Sequence, residues 1–151
     1  MPLPKRRSWF LIADGAKARL FESNGPKAGL TLKCDWSDPD ARMMARDLGR
    51  ERPVRGRTIG TGAPYAVDGP SPHEKAETAF VAARAADINE GHKKGAFDQL
   101  IIAAPPAALG LLRKKLTPEV TAKLVGAFDK DLTNHSDRDL HAYFLDNLER
   151  W

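Results

Sequence analysis

One cysteine, Cys34, is the only thiol in the 151 residues, so no internal disulfide can form and no oxidative framework is expected. It falls in mid-strand with no histidine near it in sequence, the setting of a small core or edge residue rather than an activated nucleophile. Long apolar runs are missing too. The basic start, residues 1–7, is followed by an apolar stretch that ends at Asp14. That is too short for the core of a secretion signal and far too short for a membrane span. The cytoplasm is the expected location, without membrane insertion. The four histidines, His73, His92, His135 and His141, lack metal-ligand spacing. No glycine-rich phosphate loop of Walker or Rossmann form is present, and Ser8, Ser71 and Ser136 lie in no nucleophile elbow. Neither sign of charge dominates. The formal net charge of +4 permits an anionic partner such as RNA or DNA without requiring one.

What is present suits a soluble globular chain, 42% hydrophobic and 29% charged, of a length for one domain spanning 1–151. The richest stretch is residues 9–22. Residues 9–13 are continuously apolar, as in a central strand covered on both faces. Asp14-Gly15 is a preferred turn pair, with the glycine expected at positive φ. The strand running back alternates Ala16, Ala18 and Leu20 against Lys17, Arg19 and Phe21. After a turn cluster at 23–29, residues 30–36 alternate as a third strand, with Leu30, Leu32, Cys34 and Trp36 on one face.

Ser37-Asp38-Pro39-Asp40 reads as the start of a short helix ending near Gly49. Residues 49–72 are rich in Gly, Pro and Arg without periodicity, and a stretch of that length is either functional or mobile. Ser71 and Glu74 form a capping-box pattern that opens the longest helix, running to about Lys94. Its expected apolar stripe is Ala76, Ala79, Phe80, Ala83 and Ala86, broadened by Val81 and Ile88. Residues 100–104 are a short apolar strand. Pro105-Pro106 ends it and opens a helix through Leu109, Leu112 and Leu116, followed by a turn or two from Thr117. Residues 125–131 are the fifth strand. Ser136 caps a terminal helix with Leu140, Tyr143, Phe144 and Leu148 as its apolar positions. The order β-β-β-α-β-α-β-α predicts an α/β, RNase H-like fold. Its five-stranded mixed sheet has order 3-2-1-4-5, strand 2 antiparallel and helices on both faces.

Several segments together resemble the bacterial host-attachment protein family. They are residues 13–22, Arg46-Asp-Leu-Gly49, the His73-Glu-Lys75 helix start, Ala104-Pro-Pro106 with residues 109–113, and residues 129–133. They run in order along nearly the whole chain. The family's name implies a role in attachment of bacteria to host cells, which is a phenotype rather than a chemistry. The family in turn resembles the central, RNase H-like domain of archaeal and eukaryotic peptide-chain release factors. That likeness implies a partner among RNA or the ribosome. The Gly-Gly-Gln loop with which release factors hydrolyse peptidyl-tRNA is replaced here by a loop containing Gly60-Thr-Gly62 and no glutamine.

Two groups of residues are candidates for function. If strands 1, 4 and 5 lie side by side, their carboxyl ends gather Asp14, Asp129 and Asp131, with His135 and Arg113 in reach, where open α/β sheets take ligands. The three acids suit a divalent cation, the one candidate cofactor. Strand 4, however, offers only Ala103 and Ala104 where a two-metal nuclease would place an acid. Glu74 and Glu77 face this rim from the long helix in the same reading, with Glu74 equally explained as a cap. The second group is basic: Arg42, Arg46, Arg50, Arg52, Arg55 and Arg57, joined by Lys17 and Arg19. The first three arginines are four apart, on one helix face. Such an arm neutralises phosphates, and Tyr65 would stack on a base. A solvated helix face or an oligomer contact are the alternatives. The reading that follows is a non-catalytic module binding RNA or the ribosome. A metal-dependent nuclease or phosphoesterase, and a protein-interaction module or homo-oligomer, are the rivals.

Overall fold

A computed structural model describes residues 6–38, 71–148 and 151. Strands β1 (Ser8–Ala13), β2 (Lys17–Ser23) and β3 (Thr31–Ser37) form an antiparallel meander. Helix α1 (Pro72–Lys93) leads into β4 (Gln99–Ala103), which lies parallel beside β1. Helices α2 (Pro106–Lys115) and α3 (Pro118–Thr121) lead into β5 (Leu124–Phe128), parallel to β4, and α4 (Asp137–Asn147) follows. The sheet order is β3-β2-β1-β4-β5, as the element order predicts. The predicted short helix before Gly49, the 49–72 loop up to residue 70, and the six arginines from Arg42 to Arg57 with Tyr65 lie outside the described residues.

Strand alternation divides the core. Trp9, Leu11 and Ala13 of β1 pack with Leu100 and Ile102 of β4 against α1 and α2. Phe10 and Ile12 pack with Ile101 and Ala103 against Leu140 and Phe144 of α4, with Trp151 closing this side. The continuous apolar runs of β1 and β4 are therefore what a strand covered on both faces requires. Ser71 caps α1 through the predicted reciprocal pair with Glu74.

Three local expectations are corrected. Gly15 is not at positive φ; among the described residues only Gly25, Gly29 and Gly95 are. The hairpin is held by Asp14 instead. Its Oδ1 accepts from the N–H groups of Ala16 and Lys17 at 2.7 and 2.8 Å, an Asx-type turn that adds to the backbone bond from the Asp14 N–H to the Lys17 carbonyl at 2.9 Å. Leu30 and Trp36 do not share a face. The β2–β3 register slips at Leu20/Phe21, where Leu20 pairs with Cys34 and Phe21 with Leu32, leaving Lys33 as an extra residue. A bulge inverts alternation beyond it. Leu30 accordingly packs on the α4 side and Trp36 on the α1 side, while Cys34 is exposed on the edge. Finally, α1 buries Phe80, Val81, Ala85, Ile88 and Gly91, whereas Ala79, Ala83 and Ala86 are exposed. Alanines line every side of this helix, so they cannot mark its buried face.

Gly91 shows why that face was hidden. The indole of Trp9 lies across it, and a Cβ placed there would meet Trp9 ring carbons at 2.5 Å. Trp9 cannot retreat, since its ring is 4.7 Å from Phe97 and its Nε1 donates to Glu22. Gly91→Ala adds about 1 kcal/mol of helix propensity, but overpacking a rigid neighbour costs about 1–3 kcal/mol. We expect net destabilisation in urea unfolding, and relief when Trp9→Phe is added. A more stable Gly91→Ala protein would show that the helix is free to shift.

Candidate site at the carboxyl ends of the parallel strands

The chain leaves β1 toward β2 on one side and returns as β4 on the other. Their carboxyl ends therefore lie at the point where the sheet changes direction, where open α/β sheets form crevices. A cavity of about 640 Å³ lies there. Asp14 and Gly15 enter it from the β1 turn, His73 and Glu77 from the first turns of α1, and Asp131 from beyond β5. Val81, Ala108 and Leu111 supply an apolar wall.

Thr133 ties the two aspartates together. Its buried hydroxyl lies 2.5 Å from Asp131 Oδ1 and 3.1 Å from Asp14 Oδ2, and its N–H also donates to Asp131 Oδ1 at 3.0 Å. One hydroxyl carries one proton, so the two carboxylates share it. The segment after β5 is positioned by β2. Arg19 Nη2 donates to the carbonyls of Thr133 and His135 at 2.9 and 2.6 Å, and Lys17 Nζ donates to Asn134 Oδ1 at 2.8 Å. On α1, His73 Nε2 is 3.5 Å from Glu77 Oε1, one helical turn away. His73 Nδ1 is buried with no hydrogen-bond partner among the described residues. The Glu77 carboxylate lies over Gly15, and a Cβ on residue 15 would collide with it. The carboxylate is the far end of a flexible, part-exposed side chain that can shift aside, so the contact favours a glycine without requiring one.

Thr133→Val removes the shared donor while keeping the shape. Leaving partly buried acceptors unpaired costs about 1–3 kcal/mol, so the unfolding midpoint should fall, with Thr133→Ser recovering most of it. An unchanged midpoint for the valine variant would mean that water replaces the hydroxyl at no cost.

A family model for proteins required for attachment to host cells matches residues 9–144. The chain belongs to that family. The match runs from β1 into α4 and so contains both halves of the cavity. No curated protein matches the chain. Of the strand-end residues predicted for this host-attachment chain, Asp14 and Asp131 are brought together. Asp129 and His135 are exposed and absent from the cavity lining, and the His135 carbonyl accepts from Arg19 Nη2. Arg113 lies in the last turn of α2, seven residues from Pro106. At 1.5 Å per residue that places it about 10 Å along the helix from the rim. Lys17 and Arg19 are both engaged within the fold as described.

Glu74 and Glu77 line the same cavity as Asp14 and Asp131. Even so, no set of three or more His, Cys, Asp or Glu side chains among the described residues is placed to hold a metal ion, Asp14, Asp129 and Asp131 included. Sequence reading missed Thr133 and gave His73 no role beyond the helix start. Asp131-x-Thr133 is a turn-forming spacing, and His73 and Glu77 stand four apart just past a helix cap. Both were legible signals. No helix among the described residues is long and apolar enough to cross a membrane.

Proposed function

We propose that this host-attachment-family chain is a non-catalytic, cytoplasmic binding module that engages RNA, free or on the ribosome, and that its link to attachment is indirect. One observation carries the reading. Residues 42–57 hold six arginines against Asp47 and Glu51, a net +4 that equals the formal charge of the whole chain. The remaining residues are balanced in sum, so the net positive charge of the chain comes from one short segment that can neutralise phosphates. The cavity does not compete for that partner. Asp14, Glu74, Glu77 and Asp131 face it against the one histidine among its lining residues, His73, and such a lining repels a bare phosphate backbone. The likeness to release-factor central domains read from the sequence points to the same partner class.

The test is capture from bacterial lysate, with ribosomes and ribosome-free RNA scored separately, followed by direct titration with a labelled RNA. Nuclease-sensitive capture lost on replacing Arg46, Arg50 and Arg52 by Ala supports the reading. Capture that survives nuclease treatment refutes it. The juxtaposition of Asp14, Asp131 and Glu77 favours a second reading, a metal-dependent phosphoesterase. Asp14→Asn keeps the Oδ1 acceptor that holds the turn but removes the charge. Cleavage supported by Mg²⁺ or Mn²⁺ and abolished by that change would select the enzyme.

A further inference from the structure

The opposite end of the domain carries the reverse charge. At the amino ends of the parallel strands, Arg6 and Arg7 run into β1, Lys93 and Lys94 end α1, and Lys123 precedes β5. Arg113, Lys114 and Lys115 fill the last turn of α2. The fold holds these segments side by side. Asn89 of α1 accepts from the N–H of Thr117 and donates to the Lys115 carbonyl, at 3.0 and 3.1 Å, which joins the ends of α1 and α2. Leu100 N–H donates to the Lys123 carbonyl, and Asp98 N–H to the Arg7 carbonyl, which joins the starts of the three parallel strands. All eight basic residues are exposed.

Among the described residues, the acids on this rim are Glu90, Asp98 and Glu119, with Glu22, across from Trp9 at the start of β1, already engaged by Lys33 and the Trp9 indole. Asp98 is already committed. The Arg7 N–H hydrogen bond holds its carboxyl below the usual range, against the opposing effect of burial, and the Arg7 guanidinium at 3.6 Å and Lys123 add to the lowering. Basic residues at helix ends also answer the helix dipole, but two helix ends amount to roughly one negative charge together. Eight cations against three acids exceed that need several-fold.

We propose that this amino-end rim is a second polyanion surface, built on the folded domain, that takes the phosphate backbone of an RNA duplex. The choice of RNA rests on the function proposed above; the surface itself does not. The aromatics nearest the rim, Trp9 and Phe97, are buried, so no base-stacking platform faces outward there, and backbone contact in a duplex is the mode that fits. Among the described residues, Val125 is the one exposed large apolar side chain within two residues of these cations, short of the apolar face with which a bilayer-seated surface anchors.

The experiment uses the full chain and a labelled 20-base-pair RNA duplex. Lys93, Lys114, Lys115 and Lys123 are replaced together by Gln in one variant, and Arg46, Arg50 and Arg52 by Ala in another. The expected result for the lysine variant is affinity at least about tenfold weaker in 100 mM salt and a salt slope shallower by about three to four. Its thermal midpoint should fall only slightly, through the lost helix-end charges, since all four side chains are exposed. Duplex binding that is intact in the lysine variant overturns the proposal, even if the arginine variant loses binding and so upholds the reading of the 42–57 segment. Loss in the lysine variant alone upholds the rim and refutes that segment as the RNA contact. Binding of the chain to anionic phosphatidylserine vesicles through these lysines, with no duplex binding, overturns the choice of partner.

Discussion

Replacing Phe144 by Ala should cost about 3–5 kcal/mol. Phe144 is fully buried, with its ring 4.8 Å from Phe10, 5.7 Å from Phe128 and 5.4 Å from Tyr143. It is the point where α4 meets β1 and β5 at once. The helix cannot refill the space by sliding. Ser136 pins its start through the Asp139 N–H, and His141 Nε2 is 2.6 Å from the Pro26 carbonyl. A cavity is left, and cavities in unyielding surroundings give the upper end of the range. Since domains of this size hold about 5–15 kcal/mol in total, the variant should unfold at a much lower urea concentration. Leu145→Ala, next in the helix but exposed, should shift the midpoint by about 0.5 kcal/mol or less. Equal effects at the two positions would mean that α4 does not cover the sheet.

Loss of RNA binding on joint replacement of Arg46, Arg50 and Arg52 by Ala is the second large effect we expect. The change takes the 42–57 segment from net +4 to +1 and the whole chain with it. Each phosphate contact removed lowers the salt slope by about 1, so the slope should become shallower by about three. Affinity should fall at least about tenfold at physiological salt, equivalent to about 1.4 kcal/mol. Lysine at the three positions tests the nature of the contact. Pure charge neutralisation survives the exchange, whereas bidentate phosphate recognition does not.

The sheet order was legible because the chain's punctuation is strong. Asp14, the Ser71–Glu74 box, Pro105-Pro106 and Ser136 each mark a boundary by a local hydrogen bond or a fixed φ, and local chemistry reads directly from sequence. Two things were not legible. The β3 bulge depends on how Lys33 fails to pair with β2, a property of two strands rather than one. The buried face of α1 depends on where Trp9 lies, and Gly91 carries no apolar signal at all. The site divides the same way. Asp14 and Asp131 could be placed together once the strand order was known. The joining Thr133 hydroxyl, and Glu77 resting over Gly15, are contacts across 119 and 62 positions of sequence that no local pattern announces.

A salt titration of RNA affinity on the intact chain bears most directly on the claim that this family member is a phosphate-binding module. With six arginines engaged, affinity should fall about 10³-fold between 50 and 200 mM salt, linearly in log–log coordinates. Affinity that barely changes across that range, or the absence of binding at 50 mM, contradicts it.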